Sequence, residues 1–561
     1  MNIDRRLLPA LTGLLLLLVL LPGALSARER TMGLILHDSL ACTGYTLFAP
    51  MLYRTAYLID IDGNLVNSWP GTLRPGLAAY FEEDGLLLRT GDLGNAYWSG
   101  GGRGGRVQLV DWEGNAVRTF DYSNAQRCQH HDVRRLPNGN VLMVAWEKKT
   151  AAEAIAAGRN PQLIYDAVWP DHIIEVDMNS GAIVWEWHAW DHLIQDYDYA
   201  KPNYGDPGAH PELIDINYVS NPVNPRADWM HTNTVAYNPE LDQIIISVRE
   251  WNEIWIIDHS TTTEEARGHT GGRYGKGGDL LYRWGNPRAY RRGTEADQKL
   301  FGQHDVQWIP AGLPGEGNIL VFNNGPGRAV PPFSTIEELA LPQDSAGFYH
   351  LGPDSAYGPE SPVWTYQAPN PPDFYSGLIS GCQRLPNGNT LICSGETGTF
   401  FEVTESGTEV WRYINPVSSN GPMQQGSSIP PGANTVFKVR RYPRDYPGFA
   451  GRNLDPRGPI EIYPQSVGDD ELSQPAGVRL QAGPSPARHS AQVELTLATA
   501  GPVRLDVYNP LGQRVARLAA GSLTPGRHLF RWDCSRYPEG TFIVVGQTVA
   551  GTAQTRITVA R

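Results

Sequence analysis

The sequence is poor in the short motifs that mark the commoner enzyme classes. It contains no Cys-x-x-Cys zinc spacing, no glycine-rich phosphate loop and no Gly-x-Ser-x-Gly. It has only 5 cysteines, an odd number, so at least one of them has no partner within the chain. Cys382 and Cys393 flank the turn sequence LPNGN. They could face each other across a hairpin and form a disulfide, or they could remain free thiols.

Positive charge is also scarce, because 46 Lys and Arg stand against 59 Asp and Glu, for a net charge of −13. This balance argues against nucleic acid and anionic membrane surfaces as partners. It does not exclude a small anionic substrate, since a local cationic pocket can override the global sign.

Long hydrophobic runs are absent beyond the first residues. Arg5 and Arg6 precede an apolar run from Leu14 to Leu21, and the small-residue segment Ala24-Leu25-Ser26 follows it. This order predicts a signal peptide over residues 1–26, with an uncleaved anchor as the alternative. No second candidate span follows, so we expect no membrane span in the mature chain. The prediction is an exported protein of the periplasm, the cell surface or the medium.

Two kinds of short hairpin alternate about six times along the chain. The first kind is an apolar strand, an Asp/Gly turn and a strand ending in an aromatic residue, as in YLIDIDGNLVNSW and FFEVTESGTEVWRY. The second kind begins with polar residues, as in HHDVRRLPNGNVLMVAW and ISGCQRLPNGNTLICSG. Four strands per repeat with NG, DG and PG turns are typical of a β-propeller.

The predicted fold is therefore all-β, a six-bladed β-propeller over residues 33–463. We expect Gly44–Pro50 and the late strand NTVFKVRRY to close the ring. An array of β-sandwiches is the alternative, but it gives no reason for one hairpin kind to begin repeatedly with polar residues.

The composition changes near the C-terminus. Residues 464–477 are rich in Gly, Pro, Ser and Gln and are predicted to be a linker. Residues 478–561 alternate again and predict a small β-sandwich of about seven strands. VYNPLGQRV, Gly526 to Trp532 and the terminal ITVAR resemble C-terminal sorting domains of the type IX secretion route and FlgD-like Ig modules. This resemblance implies the secretion machinery as a partner.

Three hairpins of the second kind begin with histidine. They open with His131-Asp132, His231-Thr232-Asn233 and His304-Asp305. If these are the innermost strands of their blades, three imidazoles point to one mouth of the central channel. Arg249 ends the strand that returns from His231, which brings a guanidinium to the same place. Each residue also has a plainer interpretation, as a polar strand residue or, for Arg249, a surface ion pair with Glu250 or Glu253.

Three histidines could bind zinc or copper, but a fixed guanidinium among them repels a cation. Arg with Asn and several imidazoles suits a tetrahedral oxyanion such as sulfate or phosphate better. Imidazole can also act as a nucleophile toward sulfur or phosphorus. The residues therefore favour an oxyanion over a metal ion. The alternatives are a sulfatase that uses water, a surface module that binds a sulfated or carboxylated ligand, and a metalloprotein.

The order of six segments between Gly44 and Tyr442 resembles the bacterial arylsulfate sulfotransferases. The segments are GYTLFAP, YLIDIDGNLVNSW, HHDVRRLPNGNVL, MHTNTVAYNP, GDLLYRWGNPRAY and GQHDVQWIP. The set of HTN, an Arg sixteen residues after the Asn, GNPR and QHDV is its most specific part.

The resemblance implies an exported six-bladed propeller that moves a sulfuryl group from an aryl sulfate to a phenol without the nucleotide donor PAPS. It implies a ping-pong reaction through a sulfohistidine, and it implies no metal and no organic cofactor. By motif, His304 is the expected nucleophile, and His231 and Arg249 are expected to take part in catalysis. Arg249, Asn233 and His131 are expected to bind the sulfate, with His130 as the alternative to His131. The residues that hold the phenol ring, the natural substrates and the oligomeric state are left open.

Overall fold

The computed structural model describes residues 30–219, 223, 225–353, 355–463, 477–483, 486–509 and 514–560. The predicted signal peptide lies outside these residues, as does the predicted linker except for Gly477. The chain divides into two compact units, one ending at Ile462 and the other beginning at Tyr463.

The prediction of an all-β fold is confirmed. The described part of the first unit contains six antiparallel sheets, each with four strands that are listed here from first to fourth and in chain order of the sheets. Sheet 6 also has a fifth strand, given below. Sheet 1 is Val436–Tyr442, Tyr45–Pro50, Thr55–Ile59 and Leu65–Pro70; sheet 2 is Pro75–Phe81, Leu87–Asp92, Gly105–Val110 and Ala116–Asp121; sheet 3 is Arg127–Arg135, Val141–Glu147, Asp171–Asp177 and Ala182–His188; sheet 4 is Thr232–Asn238, Gln243–Val248, Glu253–Asp258 and Tyr282–Trp284; sheet 5 is His304–Trp308, Ile319–Asn323, Thr335–Leu339 and Trp364–Tyr366; sheet 6 is Gly381–Arg384, Thr390–Ser394, Thr399–Val403 and Glu409–Ile414.

Sheet 1 joins the two ends of the first unit. Its first strand, Val436–Tyr442, pairs with Tyr45–Pro50 so that Tyr45 lies opposite Tyr442. The expectation that these two strands come together is confirmed. A further strand, Gly33–His37, pairs with the fourth strand of sheet 6. Strands near both ends of the described part of this unit are therefore paired within it.

The two hairpin kinds occupy different halves of each sheet. Hairpins that begin with polar residues form the first and second strands, and those that end in an aromatic residue supply the third and fourth. The first strand of each sheet contacts the first strand of the next, and sheet 6 contacts sheet 1 in the same way. The first strands thus form a closed ring.

Hydrophobic layers fill the spaces between neighbouring sheets. Along the second strand of sheet 4, Ile244 and Ile246 pack in the cluster shared with sheet 3, whereas Ile245 packs in the cluster shared with sheet 5. Successive side chains of a strand point to opposite faces, so a sheet buried on both faces needs a continuous apolar strand. This explains why QIIISV is not an alternating sequence.

The proposed disulfide between Cys382 and Cys393 is not formed, since all five cysteines are free and buried. Cys382 lies opposite Ile392, and Cys393 lies opposite Gly381. This offset of one residue sends the two side chains to opposite faces of sheet 6. Cys382 packs toward sheet 5 and Cys393 toward sheet 1.

Short elements connect these sheets. The minor strands are Lys149–Thr150 with Ala167–Val168, Leu193–Ile194 with Ile214–Asp215, and Val417–Ser418 with Gly421–Pro422. The described α-helices are Ala151–Ala156 and Thr263–Ala266, each begun by a threonine capping box. The 3-10 turns are Pro161–Leu163, Ala189–His192, Arg249–Trp251, Pro287–Tyr290, Glu295–Asp297, Pro371–Asp373, Gly395–Thr397 and Pro447–Phe449.

The second unit contains two antiparallel sheets around one hydrophobic cluster. The three-stranded sheet is Val478–Gly483, Ser490–Leu497 and Gly526–Asp533, and the four-stranded sheet is Arg514–Leu523, Gly501–Tyr508, Gly540–Thr548 and Gly551–Val559, in hydrogen-bonded order. Trp532 and Phe542 contact each other in that cluster at 5.0 Å. Within the described residues, no helix is both long and apolar enough to cross a bilayer.

Candidate active site

A cavity of about 1000 Å³ opens in the first unit, and four of the five predicted site residues line it. They are His131, His231, Arg249 and His304. These residues come from sheets 3, 4 and 5, and the sequence places them more than 170 positions apart at the extremes. The ring of first strands brings them to one place.

The backbone beside the cavity is strained at several sheets. His131, His231 and Asp305 have φ values of 51°, 54° and 54°, and Leu77 and Ile379 have 96° and 48°. A positive φ is uncommon for residues other than glycine and is unfavourable for bulky or β-branched side chains. His131, Leu77 and Asp305 lie at register shifts of their first strands, where the hydrogen-bond ladder to the second strand is interrupted.

His304 has a fixed tautomer. Its Nδ1 lies 3.0 Å from the Gly302 carbonyl oxygen and 2.8 Å from Asn324 Oδ1. The Asn324 amide is oriented by its own Nδ2, which donates to the carbonyl oxygens of Ser376 and Ile379. Both neighbours of Nδ1 are acceptors, so Nδ1 carries the hydrogen and Nε2 carries the lone pair.

The charge state of His304 agrees with this tautomer. Burial and, after it, the Arg249 guanidinium lower the pKa of His304 to about 3. The ring is therefore neutral near pH 7 and presents an unprotonated Nε2. Within the described part of the chain this nitrogen makes no hydrogen bond, and His304 lines the cavity.

The pKa of His231 is shifted in the opposite direction to that of His304, which favours the protonated ring. Its Nδ1 lies 2.5 Å from Asp228 Oδ2, and Asp228 Oδ1 accepts from Trp146 Nε1 at 3.0 Å. Burial alone would lower the pKa of His231, but the Asp228 carboxylate outweighs it and raises that pKa above the ordinary value. The pair thus places an imidazolium beside the neutral nucleophile candidate.

His131, rather than His130, is the histidine of HHDV at the cavity. The His131 ring lies 4.6 Å from the His231 ring, whereas His130 stacks on Trp146 at 3.9 Å and is fully buried. Gly102 covers the His131 ring so closely that a Cβ would lie 2.2 Å from Cε1. Burial, followed by the charge of His231, lowers the pKa of His131 well below its ordinary value.

Arg249 begins a 3-10 turn directly after the second strand of sheet 4. Its backbone N donates to the His231 carbonyl, so the returning strand does bring it beside His231. The guanidinium forms an ion pair with Glu250 at 2.5 Å, and Glu250 also lines the cavity. The expected ion pair and the expected position at the cavity therefore occur together.

Asn233 is not at the cavity wall. Its Nδ2 donates to the Gln303 carbonyl at 2.8 Å, its Oδ1 accepts from Thr234, and the residue is fully buried. The bond to Gln303 joins sheet 4 to the residue just before His304. In this structure Asn233 supports the backbone of His304.

The aspartates that follow two of the histidines point to the centre of the ring. Asp132 and Asp305 both form ion pairs with Lys438, at 3.0 and 2.9 Å, and Asp305 also pairs with Arg440. Tyr80 donates to Asp132 at 2.8 Å. Because all of these groups are buried, this network links four sheets and holds the strands that carry His131 and His304.

Apolar and aromatic residues form the rest of the cavity wall. They include Met51, Leu77, Tyr165, Trp169, Trp229 and Leu378. Trp229 lines the cavity, whereas Trp146 supports His130 and Trp251 packs between sheets 3 and 4. A wall of this kind can accept a flat aromatic ring next to the polar floor.

Among the residues that the structure describes, one cluster of three side chains outside the cavity has ligand atoms close enough to one another to hold a metal ion. It consists of His192, His269 and Asp279. Each imidazole Nδ1 lies 2.8 Å from Asp279 Oδ1, which is a hydrogen-bond distance, and His192 Nε2 is bonded to the Ala266 carbonyl. These contacts describe an ion-pair network between two loops. The cavity histidines stand beside a guanidinium, which disfavours a cation there.

The family model for arylsulfotransferases (ASST) matches residues 83–422, which is more than half of the chain and includes all five predicted site residues. The chain therefore belongs to the arylsulfotransferase family.

Two curated relatives agree with this assignment. The arylsulfate sulfotransferase AssT of Escherichia coli O6:H1 strain CFT073 is 25% identical over 301 residues, which cover 49% of this chain and 46% of that protein. The AssT of Lelliottia amnigena is 26% identical over 260 residues, covering 42% and 40%. The matched part of the chain thus spans less than half the length of these relatives.

Solved structures give weaker likenesses. A Bacteroides caccae protein of unknown function has a TM-score of 0.38 at 12% identity, covering 71% of this chain and 98% of that one. A virginiamycin B lyase from Staphylococcus aureus has a TM-score of 0.32 at 10% identity, covering 68% and 88%. At these TM-scores the likenesses carry no argument about this chain.

Several site residues escaped the sequence reasoning. Asp228 lies only three positions before His231 and gave a weak signal, as an acid beside a candidate histidine. Asn324 and Asp171 lie 20 and 41 positions from the histidines that they contact. Nothing in the local sequence separates them from other polar residues at strand ends.

Proposed function

We propose that the first unit is an arylsulfate sulfotransferase, which moves a sulfuryl group from an aryl sulfate to a phenol without PAPS. The observation that carries this proposal is the His304 side chain. Its Nδ1 is tied to two acceptors, and its unprotonated Nε2 lines a cavity that Arg249 and His231 also line. A neutral nucleophile beside two cations is the arrangement that attack on a sulfate ester requires.

In the first half-reaction the donor sulfate lies against Arg249, His231 and His131, with its aryl group against the apolar wall. His304 Nε2 attacks sulfur, an N–S bond forms, and the bond from sulfur to the phenolic oxygen breaks. The phenolate leaves with that electron pair. Negative charge on the peripheral sulfuryl oxygens is stabilised by the guanidinium and the imidazolium, as for phosphoryl transfer.

In the second half-reaction an acceptor phenol takes the place of the first phenol. Its oxygen attacks sulfur and its O–H bond breaks, which releases one proton and balances the proton that the departed phenolate takes up. The N–S bond breaks, and its electron pair restores neutral His304. The reaction is then ping-pong, with a sulfohistidine as the intermediate. Asn233 contributes through its bond to Gln303, by holding the strand that begins with His304.

Turnover of p-nitrophenyl sulfate with and without phenol tests this proposal, with the intact mass taken after donor alone. Nitrophenol release that depends on phenol, with an added sulfuryl group on His304, is the expected result. Release that does not depend on phenol would favour a sulfatase. Absence of both release and adduct across a set of aryl sulfates would contradict the proposal and leave a binding module.

The fold that we propose for the first unit is a six-bladed β-propeller. It is supported by six antiparallel sheets, five of four strands and one of five, by the closed ring of first strands and by the six hydrophobic clusters between neighbouring sheets. For the second unit we propose an Ig-like sandwich that acts as a secretion sorting domain, supported by its two antiparallel sheets and common core.

Export through residues 1–26 and use of the second unit for sorting are tested together by fractionating cells. Removal of residues 464–561 is expected to leave sulfotransferase activity intact and to change the compartment in which it is found. Unchanged distribution of the truncated protein would contradict a sorting role. Cytoplasmic retention of the full chain would contradict export.

A further inference from the structure

Three buried side chains lead from the cavity into the protein. His131 Nδ1 lies 2.8 Å from His130 Nδ1, and His130 Nε2 lies 3.1 Å from Asp171 Oδ1. His130 and Asp171 have no exposed surface, and His131 is 2% exposed. Of the three, only His131 lines the cavity. Its Nε2 makes no hydrogen bond to the described residues, so that atom is the outer end of the chain.

The hydrogen bonds of this chain can be satisfied in two ways with both rings neutral. In the first, His131 Nδ1–H donates to His130 Nδ1, and His130 Nε2–H donates to the Asp171 carboxylate. The His131 Nε2 then carries a lone pair toward the cavity. In the second, a protonated Asp171 donates to His130 Nε2, His130 Nδ1–H donates to His131 Nδ1, and His131 Nε2–H faces the cavity.

The second arrangement contains one proton more than the first. A proton that arrives at His131 Nε2 is balanced by movement of the Nδ1 hydrogen to His130 and of the His130 Nε2 hydrogen to Asp171. The same steps in reverse release a proton to the cavity. No ring becomes charged, and the proton comes to rest on a buried carboxyl group.

The surroundings hold this chain in place. The His130 ring stacks on Trp146 with an interplanar angle of 9°, and Thr232 N donates to Asp171 Oδ2 at 2.7 Å. The neighbouring residue His172 points to the other face of the strand, where it bonds to Tyr122. The contacts therefore fix His130 between its two partners.

The titratable and charged groups that face the chain are His231, Asp228, Arg249 and His304. Burial raises the pKa of Asp171 well above its ordinary value, with Asp228 adding to the increase. Burial also lowers the pKa of His130 well below its usual range, with Asp228 opposing and His231 adding to the decrease. Both directions favour neutral rings and a protonated Asp171 in the resting protein, which is the second arrangement.

We propose that Asp171, His130 and His131 form a proton relay, in which Asp171 stores the proton that the two half-reactions exchange. This inference rests on the proposed sulfotransferase function. When the donor phenolate leaves, His131 Nε2–H protonates its oxygen and Asp171 becomes a carboxylate. When the acceptor phenol attacks, its proton returns through His131 and His130 to Asp171. His131 is the catalytic residue of the relay, and His130 and Asp171 are positioning residues.

The dependence of kcat/KM on the leaving group tests the relay. A weakly acidic phenol needs a proton as it leaves, whereas nitrophenol does not, and general acids contribute about 10²-fold or more where they are needed. Asp171→Asn keeps the shape of the side chain and cannot store a proton. It is expected to lose ~100-fold with phenyl sulfate and less than ~3-fold with p-nitrophenyl sulfate.

His130→Gln removes the middle link, keeps Asp171 and is expected to give the same selective loss. The matched control is His172→Gln, which changes the adjacent buried residue on the opposite face and should affect all donors equally or not at all. An equal loss for all donors in Asp171→Asn and His130→Gln would show a structural role and overturn the relay.

A second measurement does not depend on activity. The infrared difference between the wild type and Asp171→Asn at neutral pH is expected to show the carbonyl band of a protonated carboxyl group. A carboxylate band alone would overturn proton storage on Asp171. If the wild type transferred no sulfuryl group from any donor, the proposed function would fail, and the infrared result would still decide where the proton lies.

Discussion

The first strands of sheets 3 and 5 contain the same dipeptide, His-Asp, and the two copies have different surroundings. In both, the aspartate points to the centre of the ring and binds Lys438, and the histidine lines the cavity. The difference lies at the histidine Nδ1. For His304 its partners are an amide oxygen and a carbonyl, which cannot titrate, and for His131 its partner is another imidazole. The amide and carbonyl oxygens hold His304 in one tautomer, which suits the proposed nucleophile. The imidazole of His130 can titrate, which suits the proposed proton relay through His131.

Removal of the proposed nucleophile is expected to have the largest effect on turnover. His304→Asn is expected to lower turnover by more than ~10³-fold, because loss of a covalent nucleophile leaves only binding and electrostatic effects. The same change in sheet 3, His131→Asn, should slow turnover while leaving the sulfuryl adduct on His304. Intact mass after donor alone separates the two variants. An adduct in His304→Asn would contradict the assignment of the nucleophile.

Arg249→Ala is expected to cost about 2–4 kcal/mol of transition-state stabilisation, or roughly 30- to 900-fold in kcat, by analogy with loss of an oxyanion donor. The guanidinium lies on the cavity wall beside His231, where charge develops on the sulfuryl oxygens. Glu250→Gln is the matched control, since it removes the partner of Arg249 and keeps the cation. A loss confined to KM would show that Arg249 acts only in binding.

Asn324→Ala tests whether the tautomer of His304 matters. Without the Asn324 oxygen, His304 Nδ1 keeps only the Gly302 carbonyl, and the ring can rotate or present its N–H to the substrate. We expect kcat to fall on the order of 10²-fold, less than the loss reported for a wrong tautomer in the serine protease triad. Asn323→Ala, which changes the adjacent buried asparagine, is the control for stability, measured by thermal unfolding. Equal kinetic losses in the two variants would contradict a specific role for Asn324.

The order of the strands and most of the cavity residues could be predicted from the sequence. The repeat of hairpins fixed the alternation of strands, and the polar starts of HHDV, MHTN and QHDV marked the residues that the ring gathers at the cavity. The residues that contact these histidines from distant parts of the sequence could not be predicted. Asn324 and Asp171 meet their histidines only because neighbouring strands set them side by side. Asn233 was assigned to sulfate from its motif, but the pleat of its strand sends the amide to Gln303. Whether Cys382 and Cys393 form a disulfide stayed open in the sequence, because the turn between them does not by itself fix the register of the two strands.

The smallest expected effect concerns the charge of His231, which neither His131 nor His304 shares. Asp228 raises the pKa of His231, so the imidazolium that binds the sulfate is present at low pH and is lost as pH rises through that pKa. Asp228→Asn removes the carboxylate, lowers the pKa of His231 and should move the alkaline decline of kcat/KM to lower pH. The reduction in kcat/KM near neutral pH is expected to be about tenfold or less, because the Arg249 guanidinium keeps its charge at every pH tested. The pH profiles of the two proteins, with phenol saturating, measure this shift. An alkaline decline at unchanged pH would mean that His231 acts as a neutral donor, and that Arg249 alone supplies the positive charge.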